Sequence, residues 1–180
     1  MGSGKINFVE PQPYATADVS DAAGGLVAMH PRIRPAWHGA RVVGPAFTVR
    51  TPPGQHPAVR QALERAEPGD VIVIDGGATV ERALWGDKLS TRALERGIAG
   101  VVIDGALRDV AAVEELGFPI FAIASVPTRP ETDVQGELAV PIVCGGIAVA
   151  PGDLVVGDAD GVVVVPRAVA ADVLARVAAG

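Results

Sequence analysis

Two stretches constrain this chain most: VIVID at 71–75 and AGVVIDG at 99–105. Each is a continuous apolar run without the alternation of a half-wetted strand, so each predicts a strand buried on both faces. Helical patterns separate them. PAVRQALERAEPGD predicts a helix that starts near Pro57 and stops before Pro68-Gly69, and LSTRALERG predicts a short one closed by Gly97. RDVAAVEELG predicts a third, with Asp109 in its first turn and Gly117 at its end.

The flanks extend this α/β pattern. ATADVSDAAGGLVAM reads as a first helix, with Thr16, Ser20 and Asp21 as candidate caps and Gly24-Gly25 marking its end. RVVGPAFTVRT reads as a strand whose Gly-Pro step predicts a bulge or bend. GGATVERALWGD is expected to be a Gly-led turn running into a polar-apolar segment. FPIFAIAS is a third apolar strand, and a long loop follows over 126–140. The C-terminal third predicts short strands joined by Pro-Gly-Asp and Asp-Ala-Asp-Gly turns, then a terminal amphipathic helix. The expectation is one α/β (α+β) domain over 14–180 with a mixed central sheet, preceded by an extended arm at 1–13 in which Pro11 and Pro13 block regular structure.

Composition narrows the function classes. The chain has 180 residues, 49% hydrophobic but only 4% aromatic, so aliphatic side chains must build its core. Its net charge is −6 and no dense basic run occurs, which argues against nucleic acid as a partner. No apolar window is long enough to span a membrane, and the first residues lack a signal pattern, so a cytoplasmic location is expected. One cysteine, Cys144, excludes an internal disulfide and lies in the apolar stretch PIVCGGIAV, where a buried inert thiol is expected. Thirteen of the fifteen basic residues are arginine, so a lysine Schiff base could use only Lys5 or Lys88. His30, His38 and His56 have no zinc-ligand spacing and read as surface residues in Pro-rich loops. Neither a nucleophile elbow nor a nucleotide-binding glycine pattern occurs.

Buried strands of an α/β protein deliver functional groups at their carboxyl ends. The second such end carries Arg108 and Asp109. Arginine offers a planar fork for a carboxylate, and aspartate a hard oxygen for Mg²⁺ or Mn²⁺. Asp87 lies at the head of the preceding helix, where the amides of Gly86, Asp87, Lys88 and Leu89 would favour an anion. Fork, metal and amides together describe a 2-oxo-acid site. The same residues also fit solvated surface charge at Arg108-Asp109 and a helix cap at Asp87.

GDKL at 86–89, G-x-x-G at 97–100 and DGxxRD at 104–109, continued by LGFPIFA and AVAPGDLVVGDADGVVVVP, resemble the RraA-like family. That family includes 4-hydroxy-4-methyl-2-oxoglutarate aldolases, which also decarboxylate oxaloacetate, and the RNase E regulator RraA. The resemblance spans about Thr16 to Pro166 and implies a compact αββα-type domain, the swivelling β/β/α fold, assembled as homotrimers or hexamers. It implies that Gly86, Asp87, Lys88 and Leu89 form the substrate loop and that Arg108 binds the carboxylate and ketone region. Asp109 would be the metal ligand, with Asp87 orienting a metal-bound water. The aldolase pattern commonly has an acid three residues after that aspartate, where this chain has Ala112; regulator members tend to lose the aspartate itself, which is present here. Two functions follow as expectations: a metal-dependent lyase releasing a pyruvate enolate, and a non-catalytic regulator of RNase E type.

Overall fold

The Gly44-Pro45 step lets one strand belong to two parts of a sheet, and the architecture turns on it. The computed structural model describes residues 14–25 and 27–179; the expected arm at 1–13 lies outside them. Helix α1 (Thr16–Ala23) is followed by strands β1 (Arg34–Pro35) and β2 (Val42–Arg50), helix α2 (Pro57–Arg65), β3 (Val71–Trp85), α3 (Asp87–Glu95), β4 (Gly100–Leu107), α4 (Val110–Leu116) and β5 (Ile120–Ser125). Then come β6 (Glu137–Leu138), β7 (Ile142–Cys144), β8 (Ile147–Val149), β9 (Leu154–Asp158), β10 (Gly161–Val165) and α5 (Ala170–Ala179).

The large sheet runs β1-β5-β4-β3-β2-β9-β10, with β6 against β2 and a separate β7-β8 pair. Strands β2 to β5 are mutually parallel. Residues 42–45 of β2 pair antiparallel with β9, and residues 46–50 pair parallel with β3. Proline cannot donate to a ladder, and a Cβ on Gly44 would collide with the Gly69 carbonyl, so this dipeptide suits the change of partner.

Four layers result, and the implied αββα order is present. Ile72 and Ile74 face α2, α3 and α4, with Leu63, Ala93 and Val113. Their neighbours Val71 and Val73 face the opposite side, against Val155, Val162 and Val164 of the β9-β10 hairpin and Cys144 of β7. The hairpin's other face, Leu154, Val156, Val163 and Val165, packs on Val19 of α1 and on Val173 and Leu174 of α5. Full burial of each such side chain contributes roughly 1.5–3 kcal/mol, so these period-2 faces hold the layers together.

Three local expectations need correction. The Gly-led turn after 75 is instead a continuation of β3, which reaches Trp85 through register shifts between Asp75, Thr79, Ala83 and Trp85. Gly77 and Ala78 take positive φ (67° and 58°) and throw the extra residues out of the ladder as bulges, so pairing resumes without ending the strand. The first helix ends at Ala23 before left-handed Gly24, as its glycine pair predicts, but Thr16 spends its hydroxyl on Asp158 (2.7 Å) rather than on a cap. Asp109 precedes α4 rather than lying in its first turn, with φ 59° and ψ 37°.

Candidate active site

The bulged course of β3 determines where the site forms. Eleven residues of β3, from Asp75 to Trp85, stand against only four of β4, from Asp104 to Leu107. The excess emerges as excursions, and Trp85 returns to the ladder beside the end of β4. There the Arg108 amide donates to the Trp85 carbonyl at 2.9 Å. Trp85 is anchored on both sides: its ring stacks on Phe118 with centroids 6.2 Å apart, and its Nε1 donates to Ser90 Oγ at 3.0 Å. Ser90 Oγ in turn donates to the Gly86 carbonyl at 2.9 Å, which fixes the start of α3.

Gly86 is therefore pressed against the Arg-Asp pair. A Cβ added to it would stand 2.7 Å from Asp109 Oδ2 and 3.1 Å from Arg108 Cγ. A side chain at this position would have to displace the Asp109 carboxylate and crowd the Arg108 stem. Arg108 Nε and Asp109 Oδ2 are 3.3 Å apart, both side chains about one-third exposed. At that exposure the pair adds little stability. The left-handed backbone of Asp109 is uncommon for a non-glycine residue, and such strain collects at functional sites.

Asp87 is the first residue of α3, with Gly86 at the N-cap. Its carboxylate accepts from the Lys88 amide at 2.7 Å, so an incoming anion would meet the other first-turn amides. Lys88 is exposed and Leu89 half-buried. Gly86, Asp87, Lys88, Leu89 and Arg108 all line one cleft of about 710 Å³, and Asp109 borders it through its contact with Gly86 and Arg108. The structure thus brings the whole predicted set together.

The cleft also contains residues that sequence reasoning missed. His56, Arg60, Arg82, Arg92, Arg129, Glu131 and Asp133 complete its walls. Six of its side chains are basic (Arg60, Arg82, Lys88, Arg92, Arg108, Arg129) against three acidic (Asp87, Glu131, Asp133), in a chain whose net charge is −6. A concave basic patch on an acidic protein concentrates anions where they can react. His56 is not a simple surface residue: burial, then the charges of Arg60 and Arg108, push it down to about 4, against a hydrogen bond with the Leu84 backbone. It is a neutral imidazole at neutral pH.

Not every acidic strand end belongs here. Asp104 is buried and accepts from Arg32 Nη2 at 3.0 and 3.2 Å and from the Gly145 amide at 2.9 Å. Cys144 is buried as expected, and burial pushes its thiol up, away from the reactive thiolate.

No three His, Cys, Asp or Glu side chains converge among the described residues, so their donor set does not resemble a caged zinc site. It does fit a hard, largely hydrated cation, since Mg²⁺ is commonly held by one or two carboxylates and keeps its waters. Asp109 offers such a carboxylate. Ala112, two residues inside α4, adds no second one. Among the described residues no helix is long and apolar enough to cross a membrane.

The cleft opens at the carboxyl ends of parallel strands, the place where α/β proteins characteristically bind their ligands. Comparison with known sequences specifies it further. Residues 16–164 match the RraA-like model, described as Aldolase/RraA, and the chain belongs to that family. A protein of Halalkalibacterium halodurans named "Putative 4-hydroxy-4-methyl-2-oxoglutarate aldolase" is 42% identical over 98% of this chain and 84% of its own length. Among solved structures, the RNA-processing inhibitor RraA of Thermus thermophilis superposes with a TM-score of 0.78 at 33% identity, over 85% of this chain and 93% of its own. Streptomyces coelicolor RraAS2, of the RNase ES inhibitor RraA family, gives 0.78 at 31% identity over 92% and 85%.

Proposed function

We propose that this protein is a divalent-metal-dependent lyase that cleaves a carbon–carbon bond of a 2-oxo acid. The substrates are of the 4-hydroxy-4-methyl-2-oxoglutarate type, with oxaloacetate decarboxylation as a second reaction. The observation that carries this is the contact of Gly86 with Arg108 and Asp109, which sets a helix start, a guanidinium fork and a hard carboxylate around one point. The name of the H. halodurans relative supports it.

Arg108 would grip the substrate carboxylate through its planar fork, and the first-turn amides of α3 would take a second oxygen. Mg²⁺ or Mn²⁺, held by Asp109 with a water oriented by Asp87, would supply Lewis-acid stabilisation of the charge that develops on the 2-oxo oxygen. The Arg108 guanidinium would stabilise the same developing anion from the carboxylate side. Aldol cleavage and decarboxylation leave the same pyruvate enolate, and one site can serve both. His56, kept neutral by burial and by the charges of Arg60 and Arg108, can donate or accept a hydrogen bond without adding charge. Assembly into trimers or hexamers and a cytoplasmic location belong to the same reading.

Pyruvate release from oxaloacetate, measured with Mg²⁺, with chelator, and for Asp109→Ala, tests it. Mg²⁺-dependent release that falls at least about 100-fold in the variant is expected for a ligand whose loss removes roughly 2.7 kcal/mol of transition-state stabilisation. Release indifferent to chelator and to the substitution would remove the metal mechanism. The inhibitor names of the two solved relatives favour a second reading, a regulator that binds an RNase E-type endonuclease. Co-purification with such an endonuclease, together with no turnover of either 2-oxo acid, would select it.

A further inference from the structure

Of the five guanidinium groups lining the cleft, three have an acidic neighbour. Arg82 Nη2 meets Glu131 at 2.7 Å, Arg92 Nη2 meets Glu64 at 2.6 Å, and Arg108 Nε stands beside Asp109. Among the described residues, Arg60 and Arg129 meet no carboxylate, although both line the cleft. Arg60 sits one helical turn beyond His56, its amide donating to the His56 carbonyl at 3.2 Å. His56 lies within electrostatic reach of both Arg60 and Arg108, and all three line the cleft.

The wall that carries Arg129 is built rather than loose. Its carbonyl accepts from Arg82 Nη1 at 3.0 Å, and the Ala83 amide donates to the Thr128 carbonyl at 2.9 Å. Buried Gln55 donates Nε2 to Glu131 at 3.0 Å and accepts at Oε1 from the Asp133 and Val134 amides at 3.0 and 3.1 Å. Gln55 and Arg82 together occupy Glu131, which leaves the Arg129 charge without a local counter-ion among the described residues.

We propose that Arg60 and Arg129 form a second carboxylate grip in this cleft, selecting dicarboxylic 2-oxo acids over monocarboxylic ones of the same length. This rests on Arg108 as the first grip. Both side chains are exposed and meet no acidic neighbour among the described residues, so their charge is open to an anion entering the cleft, and guanidinium–carboxylate pairing is the strong, charge-assisted kind.

The second grip acts differently on the two reactions. In aldol cleavage the C3–C4 electron pair stays with C3, and the C4 hydroxyl becomes the carbonyl of a departing 2-oxo acid. The hydroxyl proton ends on C3 of the enolate, and the distal carboxylate keeps its charge throughout. In oxaloacetate decarboxylation the same pair stays with C3 while the distal carboxylate departs as neutral carbon dioxide. A held negative charge therefore assists the first reaction and resists the second.

Calorimetric titration with 2-oxoglutarate and 2-oxopentanoate, both five-carbon and neither carrying the cleavable group, reads the grip without turnover. The wild type is expected to prefer 2-oxoglutarate about tenfold, the worth of one net charged hydrogen bond. Arg60→Met and Arg129→Met should each lower that preference at least about threefold and jointly abolish it, with 2-oxopentanoate binding held within about twofold. Arg108→Met should weaken both ligands. Unchanged 2-oxopentanoate binding also certifies that the variants fold. Equal binding of both acids by the wild type, or a preference that survives the double variant, overturns the second grip and leaves the lyase reading standing. A grip that behaves as expected in a protein that turns over neither substrate removes the lyase reading alone; if neither acid binds, both fall.

Discussion

Asp104 and Asp109 stand five residues apart at the end of one strand and live in different worlds. Asp104 is 5% exposed, and its oxygens are consumed by Arg32 and the Gly145 amide. Asp109 has a third of its side chain in solvent, a left-handed backbone and one long contact to Arg108. A carboxylate fully occupied by protein donors locks a loop onto the sheet. One left partly free, and held there at the expense of backbone strain, is available to a ligand. Asp158 belongs with Asp104: its oxygens accept from Thr16 N and Oγ1 at 2.9 and 2.7 Å and from the Asp160 amide at 3.0 Å.

Gly86→Ala breaks the contrast most sharply. The added methyl displaces the Asp109 carboxylate, a mobile side-chain end, so folding stability should change by less than about 1 kcal/mol. Pyruvate release should fall roughly 100-fold, the usual cost of misplacing a catalytic group by about an ångström. Parallel activity and urea-denaturation measurements check this; equal losses in both would place Gly86 with the structural residues.

Asp104→Ala should do the opposite. It strips a buried amide and a half-exposed guanidinium of their acceptor, and about 2 kcal/mol of stability should go, read as a lower denaturation midpoint at constant slope. Ligand affinity measured on the folded fraction should stay near wild type.

The smallest expected effect concerns Asp158. Burial alone would raise its carboxyl, but the Thr16 and Asp160 hydrogen bonds outweigh that and hold it below the usual aspartate range. Its folded value being lower than its unfolded one, it adds stability above the ordinary aspartate range and loses it as pH falls through the folded value. Thr16→Val removes one hydroxyl donor and should cost about 1 kcal/mol near neutrality, shrinking toward zero in acid. A penalty independent of pH would mean that valine packing, not the hydrogen bond, sets the difference.

Much of this was legible in the chain itself. The unbroken runs at 71–75 and 99–105 dictate strands buried on both faces, because no alternation leaves a side for water. Pro57, Gly97 and Gly117 punctuate the helices where they stop or start, because fixed or left-handed φ angles are local properties. GDKL and the Arg108-Asp109 end of DGxxRD mark residues that meet at the cleft, and they could be named without coordinates.

Tertiary structure decided the rest. Nothing local says that β3 continues beyond Gly76, since its bulges are paid out against β4 and only the partner strand reveals them. Nor does any motif join His56, Arg60 and Arg129 to the site, because those charges come from a helix and a loop that β3 and the long 126–140 segment fold together. The division between a spent Asp104 and an available Asp109 is likewise a matter of donors contributed from residues 32 and 145, far away in sequence. Residue type and spacing determined which chemistry this chain holds; long-range packing determined which of its charges were left free to use it.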